Sequence, residues 1–256
     1  ITIIGVTSNI GLLLASFYQT PRPLKTYSVM IKIGALNDLI SVCCDFFTMQ
    51  RLLVIPGNLM YLSSGPCSRI SARSCYLVYC YQLCTLLYSM YVMLASFVYR
   101  LWILHRPNPE TRNLLIVMGL LYIPAALLGF EFTFADADID IVTEFLRVNA
   151  PSYLLEPGAL SGHSGMTFHL VFTIIFVVLT PGPVYGAIMY CRHKVDHIYH
   201  NFFQALTVHA LLPPITCLAV VIYLILFFDI YHHVVAAIPP AGSAFCTIYY
   251  VEPYKR

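Results

Sequence analysis

Residues 75–104, CYLVYCYQLCTLLYSMYVMLASFVYRLWIL, form an apolar run whose only charged side chain is Arg100. A run of this kind predicts a helix that crosses a bilayer, because about 20 apolar residues span the hydrocarbon core. The rest of the 256-residue chain agrees: hydrophobic residues make up 59% and charged residues 10%, against roughly half and a quarter in soluble domains. So few charges cannot solvate a globule of this size, and lipid must cover much of its surface.

Apolar runs separated by polar segments recur along the whole chain and predict seven transmembrane helices. We therefore expect an all-α, seven-helix transmembrane bundle in one domain, 1–256, with helices at about 1–17, 27–49, 75–104, 114–134, 167–191, 202–228 and 234–251. Two long loops are expected, one over 50–74 and an acidic one between the fourth and fifth helices. The first run would cover only about 25 Å of a core about 30 Å thick. We expect the chain to begin inside its first helix, and we recognise no signal peptide.

Lysine and arginine fall unequally on the two sides of this arrangement. One side receives Arg22, Lys25, Arg100, Arg106, Arg112, Arg192, Lys194, Lys255 and Arg256. The other side receives Arg51, Arg69, Arg73 and Arg147. The positive-inside rule makes the richer side cytoplasmic, which places the N-terminus outside and the C-terminus inside. The sequence therefore predicts a multi-pass membrane protein.

Two polar side chains are predicted near mid-membrane, where ionisable groups are costly and often functional. Asp38 lies about 16 Å from the cytoplasmic end of the second helix, and Asn9 lies at a similar depth in the first. We expect them to form an intramembrane polar network. It is either a structural link between helices or a water or ion site that changes on activation.

Prolines inside the predicted helices are candidate hinges. Pro181 lies in the fifth helix and Pro213 in the sixth. A proline kink is a place where a helix can bend between two states, although proline is also common in membrane helices without such a role. We predict a helix hinge at Pro213 and at Pro181.

Histidines offer the strongest rival chemistry. His193, His197 and His200 can share one helical face, and with His232-His233 they are similar to the clusters of membrane di-iron desaturases. Such a site needs its ligands on one side of the membrane, but these two groups are predicted on opposite sides. We therefore expect no metal and no cofactor. The chain also lacks a Gly-rich phosphate loop and the Gly-x-Ser-x-Gly and His-Glu-x-x-His motifs, and its basic residues are scattered, so we expect neither an enzyme nor a nucleic-acid partner.

A series of short strings gives a more specific signal through its order and spacing. They are Pro23-Leu24-Lys25-Thr26-Tyr27, Asn37-Asp38-Leu39, Gln50-Arg51, Gly65-Pro66-Cys67, Cys75-Tyr76, Ser96-Phe97-Val98-Tyr99-Arg100, Gln204-Ala205-Leu206, Leu212-Pro213 and Pro253-Tyr254. By these strings the chain resembles, almost end to end, the nematode serpentine chemoreceptor class d family of seven-helix G-protein-coupled receptors. The resemblance implies a chemosensory receptor in sensory neuron cilia that serves olfaction or related sensory perception. Its partners would be a small-molecule ligand (an odorant or a water-soluble cue), a heterotrimeric G protein and the lipid bilayer.

The resemblance also implies roles for individual residues. Arg100 would occupy the position of the arginine in the Asp-Arg-Tyr motif of rhodopsin-like receptors and act in the G-protein switch, with Tyr99 in place of the acid. Lys255 interrupts the terminal Pro-Tyr-Arg of the family. The outer loop between the fourth and fifth helices has no cysteine, so the usual bridge to the third helix cannot form. Cys67 and Cys75 face the oxidising side and either form a disulfide or remain separate thiols.

A ligand pocket is expected among the outer halves of the helices. Its candidate residues are Tyr76, Tyr79, Gln82, Phe168, His169 and Tyr223. An aromatic stripe at helical spacing also forms by packing alone. The other function class is a secondary transporter or channel that uses Asp38 as an intramembrane coupling group, but transporters usually show internal repeats, and this chain has none.

Overall fold

The computed structural model describes residues 2–18, 20, 25–55, 58–149, 151–163 and 167–196. Its helices are α1 (Thr2–Tyr18), α2 (Lys25–Thr48), α3 (Ala72–His105), α4 (Thr111–Phe132), α5 (Ile139–Asn149), α6 (Phe168–Leu179) and α7 (Pro181–Asp196). The strands are β1 (Gln50–Ile55), β2 (Asn58–Ser63) and β3 (Ala159–His163), and two 3₁₀ turns cover Pro66–Arg69 and Pro151–Leu155. The predicted sixth and seventh helices, 202–228 and 234–251, lie outside the described residues.

Several of these helices have the length and composition of membrane spans. Within the described part of the chain, α3, α4 and the stretch Phe168–Cys191 are long and apolar enough to cross a bilayer, and α1 is apolar but shorter. α2 is less apolar because it contains Lys25, Lys32, Asp38 and Asp45. The Lys32 ammonium lies 4.2 Å from the centre of the Phe17 ring, so its charge is covered by an aromatic face of α1. α3 lies at the centre of the bundle and packs against α2, α4 and α7.

The predicted fifth helix is divided into α6 and α7 at Thr180. The Thr167 side chain accepts a hydrogen bond from the Leu170 backbone N–H and caps the start of α6. α7 begins at Pro181, which has no backbone N–H to continue the ladder but fits the first position of a helix. The predicted hinge at Pro181 therefore lies at a helix boundary, and the predicted hinge at Pro213 lies outside the described residues.

The segments after α2 and after α4, which are predicted to lie outside and are called the outer segments below, are not the irregular loops that the sequence analysis expected. Instead, β1, β2 and β3 form an antiparallel sheet in that order, with Leu59 opposite His163 and Ser63 opposite Ala159. β1 follows α2 through Met49, whose positive φ of 41° turns the chain out of the helix. β2 lies in the segment between α2 and α3, and β3 lies in the segment between α4 and α6. The sheet therefore joins these two segments.

Strand β2 is buried on both faces, which explains its apolar sequence. Leu59 and Tyr61 point towards the helices and pack with residues of α3, α4 and α6, while Met60 and Leu62 point the other way and pack against α5. This alternation is the period-two pattern of a strand. We call the layer formed by β1, β2, β3 and α5 the outer lid, because it covers the outer ends of α3, α4 and α6.

Gly162 in β3 is a point of close approach within the outer lid. A Cβ atom at this position would lie 2.5 Å from Met60 Sδ and 2.8 Å from the Leu59 carbonyl oxygen. The backbone atom cannot move without breaking the β2–β3 pairing, so any side chain here overpacks the sheet.

We predict that Gly162→Ala lowers the thermal unfolding midpoint of the purified protein in detergent. Overpacking of a close contact costs about 1–3 kcal/mol, and each kcal/mol shifts the midpoint by about 2–4 °C in a chain of this size. The matched control is Gly119→Ala in α4, where a Cβ atom would have no neighbour within 4 Å. An unchanged midpoint for Gly162→Ala would show that β2 and β3 are not paired as described.

Candidate functional site

Arg100, near the C-terminal end of α3, is held by a tyrosine of α2. Its Nε donates a hydrogen bond of 3.1 Å to the Tyr27 hydroxyl oxygen, and Nη2 donates to the same atom. The Tyr27 oxygen also lies 3.0 Å from Ser96 Oγ. The Tyr27 oxygen accepts from the guanidinium, and either hydroxyl can donate in its hydrogen bond with Ser96. The guanidinium carbon further lies 5.2 Å from the centre of the Tyr27 ring.

Tyr99, which the sequence analysis predicted to act with Arg100, packs against Tyr27 and so positions the tyrosine that binds Arg100. Its buried ring stacks on the Tyr27 ring, with centroids 5.5 Å apart and planes 19° from parallel. Its hydroxyl donates a long hydrogen bond of 3.4 Å to Asn108 Oδ1. A neutral phenol from the neighbouring helix thus holds the Arg100 charge. Sequence reasoning quoted Tyr27 among the family strings but gave it no role.

The intramembrane polar network joins α2 to α3. Asp38, 5% exposed, accepts a hydrogen bond of 2.5 Å from Ser89 Oγ. Asn37 Nδ2 donates to Ser89 Oγ at 2.7 Å and to the Thr85 carbonyl at 2.9 Å. Asn9 is fully buried, and its side-chain amide donates to the Gly5 carbonyl within α1. The predicted pairing of Asn9 with Asp38 stays a prediction, whereas the roles of Asn37 and Ser89 were not anticipated.

The predicted ligand-pocket residues fall into separate groups. Tyr76 and Tyr79 pack together with Tyr61 and Phe132 beneath the outer lid, and the fully buried Tyr76 donates a hydrogen bond of 2.5 Å to the Phe132 carbonyl. Tyr76 therefore offers no exposed surface to a ligand in this conformation. Tyr223 lies outside the described residues.

The other pocket candidates have polar partners on different helices. Gln82 of α3 donates a hydrogen bond of 3.3 Å to Asp45 Oδ1 of α2. His169 Nδ1 lies 2.9 Å from Glu131 Oε2 of α4, and both side chains are partly exposed. Phe168 is largely exposed beside His169. Two acidic groups, Asp45 and Glu131, therefore lie near the outer ends of their helices, and neither was singled out from the sequence.

The outer lid is attached to the bundle by one covalent bond and by ion pairs. Cys67 and Cys75 form a disulfide that ties the 3₁₀ turn to the first turn of α3. Arg73 of α3 pairs with Asp136 at 2.7 Å, and Arg51 of β1 pairs with Glu156 at 2.5 Å. The Arg51–Glu156 pair connects the first outer segment with the second, and the Arg73–Asp136 pair connects α3 with the second.

Comparison with known proteins identifies the architecture that carries these features. The whole chain, residues 1–256, matches the family model described as "Serpentine type 7TM GPCR chemoreceptor Srd". The chain belongs to this family. The predicted family and the predicted seven-helix fold class are thereby confirmed, and the Srd chain is a multi-pass membrane protein.

Similar Srd receptors come from Caenorhabditis elegans. Serpentine receptor class delta-18 is 29% identical over 284 residues, which cover 99% of this chain and 84% of that receptor. Serpentine receptor class delta-19 is 27% identical over 284 residues, covering 99% and 83%. Serpentine receptor class delta-3 is 24% identical over 286 residues, covering 98% and 82%. The similarity therefore extends through the residues 197–256 that the structure does not describe.

In this Srd chain we predict that Asp38→Leu destabilises the bundle more than Asp38→Asn does. Leucine leaves the Ser89 hydroxyl without its acceptor, and a buried polar group without a partner costs about 1–3 kcal/mol. Asparagine keeps an acceptor oxygen of similar size near Ser89. Thermal unfolding of the two purified variants in detergent should show the larger decrease for leucine, and equal midpoints would argue against the α2–α3 network.

Proposed function

We propose that this Srd chain binds a small environmental chemical between the outer halves of its helices and activates a heterotrimeric G protein at their cytoplasmic ends. Membership of a chemoreceptor family supports the general role. The observation that supports the mechanism is the contact between Arg100 and Tyr27, which links the cytoplasmic ends of α3 and α2. The proposed orientation has the N-terminus outside and the C-terminus in the cytosol, in the plasma membrane of sensory neuron cilia.

The strength of the Arg100 contact suits a reversible switch. A hydrogen bond to a charged group contributes about 1.5–3 kcal/mol, whereas breaking a buried ion pair costs about 3–5 kcal/mol. Two receptor states that differ by a few kcal/mol can be exchanged by a ligand with a modest preference for one of them. A phenol partner therefore holds Arg100 in the resting arrangement without making its release prohibitively costly.

On activation, Arg100 would leave Tyr27 and become available to the G protein. Bending of the sixth predicted helix near Pro213, with adjustment at Pro181, would open a cytoplasmic cavity beside α3 for a G-protein helix. The Tyr99 ring, stacked on Tyr27, would keep the tyrosine in place when the guanidinium moves.

The ligand side of the mechanism would use the polar groups in the outer halves of the helices. Asp45 with Gln82 and Glu131 with His169 are pairs that a polar ligand can reorganise, and Tyr79 and Phe168 add aromatic surface. Ionisable groups at such depth are costly unless paired, so a ligand that competes for one partner changes the balance between states. The ligand can shift this balance only by binding one state more tightly than the other.

The transporter or channel alternative, with Asp38 as the coupling group, is less well supported. Asp38 accepts a short hydrogen bond from Ser89 inside a network that links α2 and α3. The chain belongs to a receptor family rather than to a family of carriers or enzymes. Solute or ion flux in proteoliposomes without a G protein would be the result that favours transport.

We predict that Arg100→Ala abolishes ligand-stimulated nucleotide exchange while leaving surface expression intact. Tyr27→Phe, which keeps the ring but removes the hydroxyl that accepts from Arg100, should raise the ligand-independent rate of exchange. The expected increase is about tenfold or more, because the resting state loses a hydrogen bond that contributes about 1.5–3 kcal/mol and about 1.4 kcal/mol corresponds to a factor of ten. The assay is nucleotide exchange on G protein with the full-length receptor.

The matched control is Tyr88→Phe, which removes a buried hydroxyl of α3 that donates to the Met118 carbonyl at 3.2 Å, away from Arg100. This control should leave ligand-independent exchange unchanged. Normal signalling by Arg100→Ala, or equal ligand-independent rates in Tyr27→Phe and wild type, would remove the Arg100–Tyr27 contact from the mechanism.

A further inference from the structure

His163 at the end of β3 is fully buried in an aromatic cluster beneath the outer lid. Its ring meets Tyr61, Tyr76 and Phe132 with centroids 5.0–5.8 Å apart, each at a steep angle. None of its surface is exposed. The imidazole thus lies where β3, β2, α3 and the end of α4 come together, and it contacts both of the outer segments that the lid joins.

Hydrogen bonds define which nitrogen of His163 carries the proton. Nδ1 is bonded to the Ala135 carbonyl oxygen, and Nε2 lies 3.1 Å from the Tyr61 hydroxyl. A carbonyl can only accept, so Nδ1 must donate. Nε2 of the neutral ring then has a free lone pair and accepts from Tyr61. The closed lid therefore fits the neutral imidazole with both nitrogens satisfied.

A second proton on His163 would be compensated only in part, by the nearby Asp136 carboxylate. The titratable groups against His163 are Tyr61 on β2, Tyr76 on α3 and Asp136 after α4, while Cys80 and Arg73 of α3 lie next to these groups. The Asp136 carboxylate already pairs with Arg73 at 2.7 Å. Burial lowers the pKa of His163 below its ordinary value, although the hydrogen bond to Ala135 and the Asp136 charge act in the opposite direction.

We propose that His163 is a proton-binding site that controls the outer lid: the lid is closed while His163 is neutral and opens when external acid protonates it. This makes the proton a ligand of the extracellular side, distinct from any chemical bound among the helices. Its consequence for signalling rests on the proposed function, because an open lid would uncover the outer ends of α3, α4 and α6.

The direction of the pH dependence follows from the two states. With the lid open, His163 is solvated and titrates near its ordinary pKa of about 6.5. With the lid closed, the pKa is lower, so between the two values the open state binds more protons. The closed lid is therefore fully favoured above about pH 6.5 and loses stability as the pH falls towards the pKa of the closed state.

Hydrogen exchange of the full-length receptor in lipid nanodiscs tests this proposal without any G protein. The measurement compares protection factors of backbone amides in 58–63 and 159–163 at pH 7.5 and pH 5.5, corrected for the intrinsic pH dependence of exchange. Protection should fall at pH 5.5 by at most about tenfold, because this pH lies about one unit below the open-state pKa of about 6.5. Amides of α4 should keep their protection and serve as the internal reference.

Two variants assign the effect to His163. His163→Asn keeps a side-chain donor for the Ala135 carbonyl, and His163→Phe keeps an aromatic ring; neither can titrate, so both should lose the pH dependence of lid protection. The matched control is His105→Gln, which removes an exposed histidine at the opposite end of α3 and should keep the dependence. If neither His163 variant folds, the wild-type comparison of lid and α4 amides decides alone.

Equal lid protection at both pH values in the wild type would overturn the proposal, as would pH dependence that persists in a folded His163 variant. The hydrogen-exchange result does not depend on whether the receptor activates a G protein. A receptor that fails to activate G protein but loses lid protection in acid refutes the proposed function and leaves the proton site standing. A receptor that signals but has a pH-insensitive lid does the reverse.

Discussion

The hydrocarbon core of the bilayer offers no water to polar groups, and this constraint organises the bundle. Every polar side chain placed between the helices must find a protein partner. Tyr88 of α3 donates to the Met118 carbonyl of α4, and Asn37 of α2 donates to the Thr85 carbonyl of α3. Such bonds fix which faces of neighbouring helices meet. Asp38, whose burial is costly, is tolerated because Ser89 donates a hydrogen bond to it. The same requirement for a protein partner applies to Arg100, which is bound by Tyr27.

The outer lid supplies a connection that this chain cannot make with a disulfide. The second outer segment has no cysteine to bridge to α3, and the disulfide Cys67–Cys75 ties the first segment to α3. Instead, β2–β3 pairing, the Arg51–Glu156 ion pair and the buried His163 join the two segments, and the Arg73–Asp136 ion pair joins the second segment to α3. These interactions are individually weaker than a covalent bond and some depend on pH. A lid held in this way can open and close, which a bridged loop does less readily.

Sequence reasoning reached the helical bundle because long apolar runs have few alternative structures in a chain so poor in charge. It reached the family by a different route, the resemblance carried by the order and spacing of the short strings. It missed the sheet because β2 pairs with β3 across about a hundred intervening residues, and no local pattern reports the register of Leu59 opposite His163. β2 is also buried on both faces, which removes the alternation of polar and apolar residues that marks a strand.

The candidate site was predicted only in part for the same reason. Asp38 could be named from its own position, since a charge within a membrane helix is conspicuous, and Arg100 could be named from the family resemblance. Their partners could not be named, because Tyr27 and Ser89 are ordinary residues whose role depends on how α2 and α3 pack. His163 gave no signal at all, since a histidine in a loop of glycine and serine looks exposed until the sheet is known.

Sidedness is the claim on which the receptor account rests most directly: the outer lid must face the outside and Arg100 the cytosol. Antibody labelling of intact and permeabilised cells tests it, with a short epitope inserted either after Leu155, which is 88% exposed in the lid, or between Pro107 and Asn108. The account predicts that the first epitope is labelled on intact cells and the second only after permeabilisation. Labelling of the second epitope on intact cells, or of both on the same side, would contradict it.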